Sequence, residues 1–214
     1  MVRSRVSDAV IRRMPRYYRY LVDLEKNGVE RISSEKLGRY TGLTASQIRQ
    51  DFNCFGGFGQ QGYGYNVTDL KNTIAGILGL HKHYQVIIVG AGNVGQALAN
   101  YTNFKDEGFT VAALFDTQSP PVGTFVNGVL VWPVEKMEAF VREHQVDIGI
   151  ITTPQSVARK IAERMAEAGI KGIWNFAPVD VSLPEQDVCV ENLHLSDSLL
   201  TLTYHLNEDP AKKE

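Results

Sequence analysis

The stretch VIIVGAGNVG, Val86 to Gly95, constrains this chain more than any other. A short β-branched run ending in glycine reads as a buried parallel strand. Gly90, Gly92 and Gly95 then stand at G-x-G-x-x-G spacing and open a helical segment. The first glycine makes a tight turn, the second lets backbone approach a pyrophosphate, and the third lets the helix pack on the strand. With Ala91, Asn93 and Val94 they form a loop whose amides, at a helix N-terminus, favour an anion. The next strand, FTVAALFD, ends in Asp116, about twenty residues beyond Gly95, where a ribose-binding acid is expected. A carboxylate there repels a 2′-phosphate, so the expected ligands are NADH and NAD+ rather than their phosphorylated forms.

From this point on, strands and helices alternate. VLVWP, VDIGIITTP and IKGIWNFAP read as strands; VEKMEAFVREHQ and SVARKIAERMAEAG read as helices. NVGQALANYTNF is expected as one helix. This alternation predicts a doubly wound parallel sheet. The last segment places Leu195, Leu199, Leu202 and Leu206 at helical spacing, an apolar face that needs a surface to cover.

More than eighty residues precede the fingerprint, and their charge differs from the rest. Residues 1–50 carry eleven Lys and Arg against five Asp and Glu, whereas the remainder carries eleven against nineteen. A basic segment on an acidic body points to a polyanion partner for that segment alone. Its apolar spacing is helical. DAVIRRMPRYYRYLVDLEKNG predicts a helix, with Pro15 in its first turn, where a missing N–H is harmless. SSEKLGRYTG predicts a short helix capped by Ser33 or Ser34 and closed by Gly42. LTASQIRQDFNCFG predicts another, with Thr44 as N-cap and Gln47 completing a capping box. The two helices joined by TGLT make a helix-turn-helix, and GGFGQQGYGYNV reads as a small hairpin turning at Gln60-Gln61-Gly62. Helices followed by a hairpin outline a winged helix. VTDLKNTIAGILGL predicts a linker helix with Leu70, Ile74, Ile77 and Leu78 inward. The chain is therefore read as multi-domain α/β: a winged helix-turn-helix over 1–84, a Rossmann domain over 85–190, and a C-terminal helix and tail over 191–214.

In a helix-turn-helix the second helix enters the major groove and its first exposed turn reads base edges. Thr44, Ser46, Gln47, Arg49 and Gln50 occupy that turn. Arg49 suits guanine and the glutamines suit adenine. Ser34 and Arg16 are expected at phosphates, and Gln60, Gln61 and Gly62 at a minor groove.

Other chemistry finds little support. Tyr101 and Lys105 form Y-x-x-x-K, but on the first helix after the glycines, too early for a dehydrogenase pair; Tyr101 is expected to face the cofactor. His81 and His83 are too few ligands for a metal. Cys54 and Cys189 form no framework and are expected as reduced, buried thiols. No apolar run approaches the roughly 18 residues of a membrane span, and the N-terminus lacks a signal-peptide core, so a cytoplasmic location is expected. No Ser-His-Asp or Cys-His arrangement has a supporting context, and little chain remains for a substrate domain. Two competing classes stay open: an NAD-dependent oxidoreductase with an added module, and a protein-interaction scaffold.

The blocks SSEKLGRYTGLTASQIRQDFNCFGGFGQQGYGY, LGL, VGAGNVGQALANY, FD, ITTP and NFAP, in this order, resemble the redox-sensing transcriptional repressors of the Rex family. The resemblance implies a homodimer with its last helix swapped between subunits, no catalysis, and double-stranded operator DNA released when NADH binds. It implies that Thr153 and Pro154 of ITTP, and Asn175 and Phe176 of NFAP, join Tyr101 near the cofactor, and that Arg19 and His194 lie at the switching interface. The chain departs from the family pattern at Gln50, where a lysine is common, at Gln61, where an arginine is common, and at His194, where an acid that would pair with Arg19 is common.

Overall fold

The computed structural model describes residues 6–56, 58, 63–117 and 122–207. The chain divides after Lys82 into two units, Met1–Lys82 and His83–Glu214.

In the first unit, α1 (Asp8–Lys26) buries Val10, Met14, Tyr17, Leu21 and Leu24, a three-and-four spacing that puts all five on one face. Pro15 is not in the first turn as expected; it is the eighth residue of this helix. Val10 and Met14 carry the buried stripe to its N-terminal side. Their burial offsets the hydrogen bond that a proline cannot donate back to Ile11. α2 (Ser34–Thr41) starts at Ser33, whose hydroxyl accepts from the amide of Lys36, and ends at the left-handed Gly42. α3 (Ala45–Asn53) starts at Thr44, which accepts from the amide of Gln47. α4 (Val67–Leu78) begins with Asn66 as its cap. It packs on α1, and Glu25 of α1 accepts from Lys71 and Thr68 of α4. Leu37, Ile48, Phe52 and Tyr65 join these stripes in one core.

The wing differs from expectation. The tip at Gln60, Gln61 and Gly62 lies outside the described residues. Its second strand, β2 (Tyr65–Asn66), pairs antiparallel with β1 (Arg31–Ile32) ahead of α2. A two-residue strand is too short for periodicity to reveal.

The second unit is a seven-stranded sheet in the order β5-β6-β4-β3-β7-β8-β9. Its strands are β3 (Tyr84–Val89), β4 (Phe109–Asp116), β5 (Phe125–Val126), β6 (Val129–Pro133), β7 (Ile148–Ile151), β8 (Gly172–Asn175) and β9 (Cys189–Asn192). All neighbours are parallel except β5 and β6. α7 (Met137–His144) and α8 (Gln155–Ala168) cover one face through Met137, Val141, Ala158, Ala162 and Met165. α5 (Asn93–Ala99) and α6 (Asn103–Asp106) lie against the other, where Phe104 and Trp174 join its core. α9 (Leu195–Asn207) ends the described chain with no buried residue.

The structure departs from expectation in further places. NVGQALANYTNF is two helices, not one. The side-chain amide of Asn127 donates to the carbonyl of Ala99 at 3.0 Å, satisfying a group left open at the end of α5, and Tyr101 lies in the break. β5 and β9 were not expected. Cys54 and Cys189 are both exposed: one caps α3 and the other starts an edge strand.

Gly95 shows why the second unit needs its glycines. A Cβ there would lie 1.9 Å from the carbonyl oxygen of Gly90, whereas a Cβ at Gly92 would meet nothing within 4 Å. Gly95→Ala is expected to cost about 2 kcal/mol by overpacking, and Gly92→Ala close to nothing. Urea unfolding checks this, and equal costs at the two positions would remove the contact as the reason.

Candidate functional site

The strand order reverses between β3 and β7, and a crevice for a ligand is expected outside the carboxyl ends of the strands at such a point. The fingerprint loop follows β3, and Thr152-Thr153-Pro154 follows β7. Gly90 has φ +102°, in the region that favours glycine, and a Cβ on it would lie 2.7 Å from the backbone oxygen of Thr152. The hydroxyl of Thr152 donates to the carbonyl of Gly90 at 2.6 Å. The loop is therefore pinned to the end of β7. Asp116 pins it from the other side, because its carboxylate accepts from the amide of Ala91 at 2.6 Å and from that of Thr117 at 2.6 Å. A negative group thus stands at the end of β4, against the loop. Gly92, Asn93 and Val94 are exposed and Ala91 and Gly95 are buried, so the loop offers backbone on one side and packs on the other.

The remaining candidates divide. Pro154 and Tyr101 are exposed, and Phe176 is half-buried. The hydroxyl of Thr153 is buried and has no hydrogen-bond partner among the described residues. Asn175 is different: it is fully buried, and its amide donates to Val179 and Asn192 while its oxygen accepts from Ala177. Its side chain ties the end of β8 to the loop that follows it. Thr152, which sequence reasoning passed over in favour of Thr153, is the residue that touches the glycine loop.

In the first unit the reading turn is exposed at Ser46, Arg49 and Gln50, with Thr44 also exposed and Gln47 half-buried. Arg49 donates to the hydroxyl of Ser34 at 3.1 Å, so an expected base reader and an expected phosphate ligand already touch. Arg16 is exposed on α1, with Gly42 beside its guanidinium. The turn between the helices is tight. A Cβ at Gly38 would lie 2.5 Å from the carbonyl oxygen of Leu43, so α2 closes on the turn only because Gly38 has none. Behind α3 stands a group the sequence reading missed. Asp51 is 1% exposed. It accepts two bonds from Arg13 at 2.6 and 2.7 Å and one from Tyr17 at 2.7 Å. Burial alone would raise its pKa, but Arg13 and Tyr17, with Gln47, hold it below its ordinary 3.8. Burial, reinforced by Asp51, pushes the Tyr17 phenol up, so it stays a neutral donor. Ahead of Asp51 on the same helix, the hydroxyl of Thr44 accepts from the amide of Gln47 at 3.1 Å, one half of the expected capping box. The signal was the spacing: Asp51 falls three residues after the buried Ile48, on the core side of the helix.

Arg19 is exposed on α1, with its guanidinium over the Tyr20 ring. His194 pairs within its own unit, its Nε2 lying 2.9 Å from Asp180. That bond raises the His194 pKa above 6.5. Among the described residues no cluster of His, Cys, Asp and Glu could hold a metal ion, and no helix is long and apolar enough to cross a membrane.

A family described as a putative DNA-binding protein N-terminus matches residues 5–53, and one described as a CoA binding domain matches residues 81–179. The chain is 54% identical over 206 residues to a redox-sensing transcriptional repressor Rex of Clostridium botulinum strain Hall, spanning 96% of this chain and 98% of that protein. It is also similar to RSP, a Rex-family repressor. The structure of RSP with β-NAD+ and operator DNA matches at a TM-score of 0.88 and 55% identity, covering 95% of this chain and 93% of that one. The structure with β-NADH matches at 0.88 and 52%, covering 96% of each.

Removing Asp51 would leave Arg13 and Tyr17 facing a void behind the reading helix. Asp51→Ala is expected to destabilise the first unit by about 3 kcal/mol, the scale for breaking a largely buried pair. The sign with pH follows from the lowered value. The Asp51 contribution is present above 3.8 and lost as pH falls through its folded value. Acid unfolding of the wild-type unit, followed by circular dichroism, should show this loss, and Asp51→Ala should lack it.

Proposed function

The chain belongs to the Rex family of redox-sensing transcriptional repressors, and we propose on that premise that it is an NAD(H)-responsive repressor that binds operator DNA when NADH is low and leaves it when NADH binds. One observation carries the reading: a helix-turn-helix and a dinucleotide fingerprint share one chain that matches such repressors almost end to end.

The dinucleotide takes the crevice at the carboxyl ends of β3, β4 and β7. Its pyrophosphate lies over Gly92, where the backbone is open, and meets the amides of Asn93 and Val94. Asp116 disfavours a 2′-phosphate by charge. Thr153, Pro154, Tyr101 and Phe176 line the nicotinamide side. Operator DNA takes the exposed turn of α3. Arg49 and Gln50 read base edges, Ser46 and Thr44 flank them, and Ser34 and Arg16 bind phosphates. The wing residues Gln60, Gln61 and Gly62 complete the contact, with one charge fewer than the arginine common in the family at position 61. Working on operator DNA places the protein in the cytoplasm.

The chain works as a homodimer. α9 displays Leu195, Leu199, Leu202 and Leu206 at 62, 59, 51 and 74% exposure, and an exposed stripe of this size marks an interaction surface. On the second unit's sheet an apolar cavity of about 400 Å³, lined by Val86, Phe104, Phe109, Ile150 and Trp174, offers another surface for a partner copy to cover. Arg19 and His194 belong to the parts that move at this interface.

No bond is made or broken in this mechanism. NADH prefers one dimer form and DNA the other, so each lowers the affinity for its rival by the same factor. NAD+ binds the same crevice without effect if it does not discriminate between the two forms.

A gel shift on a palindromic operator at fixed salt, titrated with NADH and separately with NAD+, tests the reading. Saturating NADH should weaken binding at least about tenfold, within the usual range of coupling, and NAD+ should not. Unchanged operator affinity under saturating NADH would falsify the proposal. Gly92→Val should fill the crevice and leave a DNA binder deaf to NADH. Arg49→Ala should cost about 1–3 kcal/mol of operator affinity with NADH binding intact; loss of both points to unfolding. Asp116→Ala should narrow the preference for NADH over NADPH, and an unchanged ratio would remove this residue from the site.

A further inference from the structure

Asn175 ends β8 and Asn192 ends β9, and the two are paired in register. Their side-chain amides form one network. Asn175 donates to Asn192 at 2.8 Å and to the carbonyl of Val179 at 2.7 Å, and accepts from the amide of Ala177 at 3.0 Å. Asn192 accepts in turn from the amide of Val181 at 2.9 Å and donates to its carbonyl at 3.0 Å. These five bonds close residues 176–181 into a fixed loop.

Both ends of this network reach something else. Upstream, Phe176 donates its amide to the carbonyl of Ile151 at 2.8 Å, the last residue of β7 and the one before Thr152. The loop therefore starts at the edge of the strand-end crevice. Downstream, the amide of Leu193 donates to the carbonyl of Asn175 at 2.8 Å. His194 meets Asp180 of the loop at 2.9 Å, and α9 begins with the next residue. The crevice edge and the start of α9 are two ends of a single hydrogen-bonded piece.

We propose that Asn192 is a positioning residue for the switch, carrying the state of the 176–181 loop at the crevice edge to the first turn of α9. This rests on the reading that NADH weakens operator binding. An apolar side chain at position 192 would leave the backbone N–H and C=O of Val181 without these partners. The Asn175 amide is fully buried and costly unless each polar atom is matched, so its bond to the half-buried Asn192 makes the joint sensitive to loss of that partner. Transmission between sites requires an element whose arrangement both sites can bias, and this network is bonded at the crevice edge and at the start of α9.

The test uses the full-length chain and three measurements: NADH affinity, operator affinity without NADH, and operator affinity with saturating NADH. Asn192→Leu removes all three of that side chain's bonds. Asn192→Asp keeps both acceptor bonds, loses the donor to Val181, and is the gentler change for folding. In both variants NADH affinity and NADH-free operator affinity should stay within about threefold of wild type. The factor by which NADH weakens operator binding should fall from at least about tenfold, inside the usual range of coupling, to about twofold or less, below that range. An unchanged factor in the folded variants overturns the proposal. So does a drop in NADH affinity that accounts for the lost response, or failure of both variants to fold, since either makes the pair a structural staple. A wild-type protein with no NADH response would instead refute the functional reading and leave nothing for Asn192 to transmit.

Discussion

A Cβ on Gly95 would lie 1.9 Å from the carbonyl oxygen of Gly90, and the second unit depends on that missing atom. With it absent, α5 closes on the end of β3. Its first amides then stand at the point where the strand order reverses. Thr152 reinforces the approach from β7 and Asp116 from β4. Three strands therefore converge on one loop, and the loop is rigid before any ligand arrives. Preorganisation of this kind lowers the ordering cost of binding. It also explains why the loop's open side is at Gly92, the one fingerprint glycine with nothing near its Cβ position.

The first unit rests on a different constraint. Asp51 is a buried charge on the helix that carries the reading turn, and a buried charge must be matched on every side. Arg13 grips it with two bonds and Tyr17 with one, so α3 is locked to α1 in orientation as well as in contact. Apolar packing of Ile48 and Phe52 alone leaves a helix free to roll by small angles. The fork of an arginine on a carboxylate does not, because both bonds require one geometry. The exposed turn at Ser46, Arg49 and Gln50 inherits that orientation.

What the sequence revealed, and what it hid, follows the distance between partners. Ser33, Thr44 and Gly42 were legible as caps because each acts within three or four residues of itself. The fingerprint glycines and Asp116 were legible because their spacing is fixed by one strand, one turn and one helix. Asp51 was hidden because its partner Arg13 is 38 residues away. Asn192 was hidden because its bonds to Asn175 and Val181 cross a long loop. β1 and β2 have two residues each and carry no period. Cys189 was misread as buried because a thiol is usually a core residue, yet on β9, an edge strand, exposed and half-buried residues alternate. Pro15 misled in the opposite direction: a strong local signal lost to the stripe of Val10 and Met14 around it.

The same division bears on how one unit informs the other. Each unit closes its own core. The element suited to respond is α9, whose thirteen residues bury none of their side chains within the chain. An isolated helix of that length is marginal in water, and covering a leucine is worth about 2 kcal/mol. Its persistence is therefore set by what covers it rather than by its own bonds. Its beginning, in contrast, is tied through His194, Asp180 and the two asparagines to the crevice edge. A helix held firmly at one end and dependent on outside contact along its length can be redirected by a small shift at the held end. In the homodimer proposed above, that asymmetry gives a ligand at the strand ends a route to the surface that a second copy covers.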